Sequence, residues 1–392
     1  MKKIIIIILL FLLAISGCDV FTSDSDSDDN AEQIKEELYA YFDSLQYNTA
    51  IPGIVAGVWM PQKDINWVRT FGYADLENGT PMTPQLIFRI ASNTKTMTNT
   101  ILLQLVEENK ISLSDTLFDY IPNFPKADSV TIQMLTDMTS GIRDYIESPH
   151  IDEWLAQDPG IYFPMDSLLA FSAEMDYYFS PGEGWHYSNT NTLLIQKIIK
   201  QITGNTLLHE MQTRLFDPID LSKTEYIPQG TYLPEPHAQG YYAGPLTAEP
   251  VNYTEVIDLS LVRGAGAAVS DIYELKTYVE CLVNGYYLSS EMQEHRFDYL
   301  VNTEGVPLPI KYGTGWMEWN GFYGHDGGFP GFVSLMLSNP NDDTTVIFWF
   351  NCQLTKYNVL DSFARIYQIL YSDKLMTEKT NVDFSHIKIF NN

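Results

Sequence analysis

The amino-acid sequence predicts an α+β fold. An antiparallel sheet built from both chain ends and flanked by helices carries an inserted, mostly α-helical subdomain. Three observations predict it. Short β-branched and apolar runs stand near the start, at residues 54–60 and 65–73. Others stand near the end, at 309–319, 332–338 and 345–351. Between them, from about residue 96 to 255, turns alternate with helical periods. Such a chain closes one sheet from its two termini, so a site belongs at the junction with the insertion. With 392 residues, 45% hydrophobic and 13% aromatic, the chain is long enough for a sizeable core, which we assign to residues 32–371.

Met1-Lys2-Lys3 and the uncharged stretch from Ile4 to Gly17 read as an export signal over residues 1–17, shorter than the ~20 residues a spanning helix needs. Residues 18–31 follow as an acidic, serine-rich tether that cannot bury a core. Its Asp-x-Asp-x-Asp spacing lacks the glycine and glutamate of a calcium loop, with Asp29 and Lys35 in those places, so calcium is not implied. Ile34, Leu38, Tyr41, Phe42 and Leu45 give a helical period over 31–47. The 54–60 and 65–73 runs, separated by Pro61-Gln62-Lys63-Asp64, make a hairpin. A helix over 94–108 follows the apolar run 87–91, and the insertion supplies helices at 131–138, 190–202 and 205–215. Ser270 is expected to cap a helix over 271–283, a last helix spans 359–371, and residues 372–392 form a peripheral tail.

A formal charge of −27 repels phosphate backbones, so nucleic acid is not an expected partner. The same field repels a carboxylate-bearing substrate, which therefore needs cationic groups inside its site. Cys281 and Cys352 either pair, as an exported protein allows, or sit as small buried hydrophobes. His209-Glu210 has Thr213 where a second zinc histidine would stand, so no metal is implied. There is no Gly-x-Ser-x-Gly elbow and no Walker loop, and the chemistry below needs no cofactor.

Ser92-Asn93-Thr94-Lys95 opens the 94–108 helix, where residues three apart share a face, so a lysine amine reaches a serine hydroxyl and accepts its proton. A second Ser-x-x-Lys, at Ser385 and Lys388, lies in the tail without a helix signal, so spacing alone identifies nothing. Tyr187-Ser188-Asn189 places a phenol and an amide on one side of an extended segment. His325-Asp326-Gly327 lies between a strand-like 321–324 and a turn at 328–331. There Gly327 admits a substrate backbone, Gly328 N–H joins Ser92 N–H as an oxyanion donor, and His325 anchors a carboxylate. Each motif also has a structural reading: Ser92 as an N-cap beside a solvated Lys95, Tyr187 in a turn with a cap for the next helix, and a glycine turn with a surface histidine.

In this order the three motifs resemble the serine β-lactamase and D-Ala-D-Ala carboxypeptidase family, in the branch containing class C β-lactamases. Residues 131–145 (TIQMLTDMTSGIRDY), 179–189 (FSPGEGWHYSN) and 264–270 (GAGAAVS) resemble it too, and the likeness covers about residues 32 to 371. The resemblance implies a β-lactamase/transpeptidase-like fold. It also implies an acyl-enzyme on Ser92, with Lys95 as base, Tyr187 as proton shuttle and Asn189 holding the substrate. Class C enzymes carry Lys-Thr-Gly where this chain has His325-Asp326-Gly327, which is more similar to D-alanyl carboxypeptidases, D-aminopeptidases and family esterases. That points to a small-molecule or short-peptide substrate, peptidoglycan included, and away from β-lactams; a catalytically silent envelope-binding protein is the opposing reading. Histidine changes charge near neutral pH, so capture of an anion by His325 is expected to weaken as pH rises. Ile15-Ser16-Gly17-Cys18 resembles a bacterial lipobox, which implies cleavage before Cys18 and a lipid there holding the protein to a membrane of the cell envelope.

Overall fold

The computed structural model describes residues 23–244, 248–305, 308–355 and 357–372. The export signal, Cys18, Ser385 and Lys388 lie outside them. Helix α1 (Ser23–Asn48) begins eight residues before the expected start, so the described part of the acidic stretch, residues 23–31, lies in the helix. Strands β1 (Gly53–Met60) and β2 (Ile65–Asp75) form the expected hairpin, pairing from Gly53↔Gly72 to Met60↔Ile65. After β3 (Thr80–Pro81) and β4 (Phe88–Arg89) the chain enters the insertion with α2 (Thr94–Glu107), α3 (Ile132–Thr136), α4 (Pro149–Gln157) and α5 (Met165–Ala173). It continues through α6 (Asn189–Thr203), α7 (Leu207–Met211), β5 (Glu225–Tyr226), β6 (Tyr241–Ala243), β7 (Val251–Asn252) and β8 (Ala268–Ser270).

The C-terminal part returns to the sheet: α8 (Ile272–Val283), α9 (Ser290–Asp298), β9 (Val301–Asn302), β10 (Lys311–Gly313), β11 (Trp316–Trp319), β12 (Phe322–Phe329), β13 (Phe332–Asn339), β14 (Thr344–Phe350), β15 (Cys352–Leu354) and α10 (Val359–Leu370). The strand order β3-β2-β1-β14-β13-β12-β11-β10-β9 sets N-terminal β1 against C-terminal β14, antiparallel, with Ile54 opposite Phe350. Both faces of this sheet are covered, which is why β1 and β14 read as unbroken apolar runs. Ile54, Ala56 and Val58 point into the core under α1 and α10, and Val55 and Trp59 into the core shared with α2 and α8.

Several local expectations change. The 309–319 run is a hairpin, β10 and β11, turned at Thr314 and Gly315 with φ of 46° and 78°. Residues 328 and 329 extend β12, so His325 and Gly327 lie within a strand and not before a turn. Asp271, not Ser270, caps α8: its Oδ1 accepts from Tyr273 N–H and Glu274 N–H at 3.0 and 2.9 Å, while Ser270 ends β8. The 205–215 segment divides into α7, capped by Thr206, and a wider π turn at Gln212–Phe216. Helices α4 and α9 bury only one and two residues respectively and so carry little apolar period to read. Cys281 and Cys352 are both free thiols, the second buried.

Candidate active site

Strand β4 leaves the small β4-β8-β5 sheet and passes at once into a 3₁₀ turn, Ala91–Asn93, that runs on into α2. Ala91 takes φ of 49°, a left-handed backbone that costs a non-glycine residue and persists only where its surroundings impose it. They do so here. Thr94 Oγ1 donates to Ala91 O at 2.7 Å, and Asn93 Nδ2 donates to Ile90 O and to Ser334 Oγ on β13 at 2.8 and 2.9 Å. The Phe88 ring stacks on Trp349 of β14 at 4.5 Å, which fixes the turn to the sheet. The result is a half-buried Ser92 side chain at the head of α2, as the strand-to-helix expectation required.

Lys95 follows one turn on and is fully buried. Its Nζ lies 3.0 Å from Ser92 Oγ, donates to Ala265 O at 2.7 Å, and stands 4.8 Å from the centroid of the Tyr187 ring. Burial pushes its amine down to about 7, with Asp144 and Asp326 working against that fall. Loss of water alone therefore lowers the amine, because the charges that act on it are negative. An amine that is uncharged in a substantial fraction near neutral pH and in hydrogen-bond contact with a hydroxyl can take its proton.

Ser188 is extended, at φ −147° and ψ 120°, and Asn189 opens α6. The Tyr187 phenol oxygen is buried and makes no hydrogen bond of ordinary geometry among the described residues. Burial drives its pKa well above the usual phenol value, Tyr312 adds to the rise, and the nearby Ser92 hydroxyl opposes it. Asn189 is held by Asp144, whose Oδ2 accepts from Asn189 Nδ2 at 2.8 Å and from its backbone N–H at 3.1 Å. Burial in turn raises the Asp144 carboxyl, against its hydrogen bonds from Asn189 and Ile146 and the charge of Lys95.

Strand β12 faces this cluster from the sheet. A Cβ on Gly327 would lie 2.2 Å from Ile90 O, 2.7 Å from Ser334 Oγ and 3.0 Å from Asn93 Nδ2. The close approach that demands glycine is therefore the protein's own Ser92 turn. Gly328 is exposed, and the nearest atom to a Cβ there is Gln353 Nε2 at 3.7 Å. His325 is 1% exposed and packs beside Tyr187 and Tyr312, with ring centroids 6.0 and 5.6 Å away. Its Nδ1 donates to Asp326 O at 2.5 Å, because a carbonyl only accepts, and its Nε2 meets Tyr312 O–H at 3.2 Å. With both nitrogens engaged, His325 offers no free N–H to a substrate carboxylate, contrary to the expectation for a cleft-facing anchor.

The structure thus gathers Ser92, Lys95, Tyr187, Asn189, His325, Gly327 and Gly328 at one place, and adds Asp144, Ala265 and Tyr312, which the motifs did not name. Asp144 and Ala265 stand in the 131–145 and 264–270 stretches that carried the resemblance; Tyr312 had no signal. Among the described residues no three His, Cys, Asp or Glu side chains converge as a metal site.

Residues 38–367 match the family model described as Beta-lactamase. Among curated proteins the chain is similar to penicillin-binding protein 4* of Bacillus subtilis, 26% identical over 81% of this chain and 72% of that one. It is also similar to esterase EstB of Burkholderia gladioli, 30% identical over 61% of this chain and 62% of that one. Among solved structures, a D-stereospecific amidohydrolase from Streptomyces sp. aligns with a TM-score of 0.71 at 25% identity, over 82% of this chain and 94% of its own. A D-amino acid amidase from Ochrobactrum anthropi aligns at 0.75 and 23% identity, over 88% and 99%, which shows the shared fold.

Proposed function

The chain belongs to the Beta-lactamase family and is a serine hydrolase, and from that premise we propose that it cleaves D-alanyl-type peptides or related esters through an acyl-enzyme on Ser92. The observation that carries this reading is the Lys95 amine, dry, lowered to about 7, and 3.0 Å from Ser92 Oγ. Lys95 takes the Ser92 proton, Ser92 Oγ attacks the carbonyl, and the backbone N–H groups of Ser92 and Gly328 receive the oxyanion. Tyr187, whose phenol keeps its proton at neutral pH, gives it to the leaving group while the Lys95 ammonium beside it returns one. Water then clears the acyl group.

Two of the similar proteins named above are an esterase and a D-stereospecific amidohydrolase, and their names support an ester, amide or peptide as the substrate of this chain. The histidine at position 325, in place of the lysine of class C β-lactamases, points the same way. A lipid on Cys18 would hold the enzyme in the cell envelope, within reach of peptidoglycan peptides; the sequence Ile15-Ser16-Gly17-Cys18 supports that placement. Among the described residues no helix is long and apolar enough to cross a membrane.

A fluorophosphonate probe and a fluorescent penicillin test the nucleophile. The intact protein takes one covalent label and Ser92→Ala takes none; equal labelling of the two removes Ser92 from the mechanism. Nitrocefin, a D-Ala-D-Ala peptide and a p-nitrophenyl ester run side by side then rank the substrates. The peptide or the ester is expected to turn over faster than nitrocefin, and the reverse order would make the protein a β-lactamase.

A further inference from the structure

A cavity of about 690 Å³ opens among α5, α6, α7 and the segment from Arg263 to Ala265. None of Ser92, Lys95, Tyr187, Asn189 or His325 lines it. Its volume is that of a site for a small organic molecule. Lys197, Lys200 and Arg263 share the lining, in a chain where 50 acidic residues outnumber 23 cationic ones. Lys197 pairs with Asp166 at 2.6 Å, through a carboxylate that is 84% exposed. Lys200 is exposed and makes no ion pair among the described residues. Arg263 is 7% exposed; it donates one Nη2 hydrogen bond to Phe163 O, and its buried Nε has no partner among the described residues. The Arg263 guanidinium carbon lies 5.2 Å from the centroid of the Tyr162 ring, so the cation and the ring stand together in the lining. Tyr162, Met165, Leu207 and Tyr226 make an apolar and aromatic part of the wall, beside polar groups that include Asp166 and Gln196.

The cavity also borders the residues that hold Lys95. Gln196, in its lining, accepts from Gly264 N–H at 2.9 Å and donates to Tyr226 Oη at 3.2 Å. The carbonyl of the following residue, Ala265 O, is the acceptor of Lys95 Nζ. Arg263 stands at φ of 40°, so the bridge between cavity and lysine is a strained three-residue turn.

We propose that this cavity binds a carboxylate-bearing molecule with an apolar body, of the size of an N-acyl amino acid, and that occupancy is felt at Lys95 through Arg263-Gly264-Ala265. The carboxylate meets Lys200, Lys197 and Arg263, and the apolar body lies between Tyr162 and Tyr226. Only the coupling rests on the reading of Ser92 and Lys95 as the acylating pair; the binding stands apart from it. A ligand that alters how Lys95 is held alters the rate at which Ser92 is acylated.

Isothermal titration of the full chain with 3-phenylpropionate, and with its neutral isostere 3-phenylpropanamide, reads the binding. The carboxylate is expected to bind about tenfold or more tightly than the amide, the difference a charge-assisted hydrogen bond makes. Lys197→Ala/Lys200→Ala should lose a similar factor, and Ser92→Ala should bind as the intact protein does. Equal affinity for acid and amide, equal affinity in the double variant, or no heat with either probe overturns the site. The rate of fluorophosphonate labelling, followed as 3-phenylpropionate is added, should change to a plateau with the calorimetric half-point, and stay flat in the double variant. A flat rate in the intact protein, beside measurable binding, overturns the coupling alone. Absence of any labelling overturns the assignment of Ser92 and leaves the calorimetric result standing.

Discussion

Lys95 determines how the site responds to pH. With its amine lowered to about 7, the base is charged below that value and free above it. The acylation rate constant should therefore rise through pH 7 and fall by about tenfold for each unit below it, as pre-steady-state labelling would measure. Lowering a lysine also has a stability consequence of definite sign. The unfolded chain holds the proton up to the ordinary lysine value, so the folded state gains relative stability as pH rises from about 7 toward 10.5 and loses it as pH falls back through 7. Asp144 raises the Lys95 amine, so Asp144→Asn should move the acid limb of the rate profile to lower pH; a limb that stays or moves up would show that Asp144 does not act on Lys95. Little of this was legible beforehand. The Ser-x-x-Lys spacing named the pair, but burial is a property of what surrounds α2, and no local pattern reports it.

Strand β12 and the Ser92 turn behave as one element, because the glycine at their contact leaves no room for anything else. Gly327→Ala puts a methyl 2.2 Å from a backbone oxygen, so it should cost about 1–3 kcal/mol in denaturant unfolding and slow acylation as the turn is pushed from the strand. Gly328→Ala, with its nearest neighbour at 3.7 Å, should leave stability within about 0.5 kcal/mol. Equal losses at the two positions would refute the contact. The sequence did announce glycine at 327, but for the wrong neighbour: the motif suggests a substrate, and the fold supplies Ile90 O. The element boundaries that went astray have separate causes. Ser270 and Asp271 are both good caps, and only the register of β8 decides between them. The 309–319 run hides a hairpin because Thr314 is not a residue that advertises a left-handed turn.

At the scale of the molecule, the architecture of a sheet closed from both ends was legible, since apolar runs at the two termini have few other ways to cover their faces. The first helix tests it. Phe42 is wholly buried against Trp67, Phe71 and Phe348, which come from both halves of the sheet. Phe42→Ala should cost about 3–5 kcal/mol of unfolding free energy, yet leave the labelling rate of the folded protein unchanged at low temperature. The pairing of β1 with β14 has a further meaning for how the enzyme comes into being. Ser92 is synthesised early, but the strand that confronts it and the one that closes the sheet beside β1 emerge from the ribosome more than 200 residues later. Until residues 344–350 arrive, β1 offers one bare edge to its surroundings, the kind of edge that recruits other chains. In a nascent or truncated copy that edge stays open, and the arrival of β14 covers it.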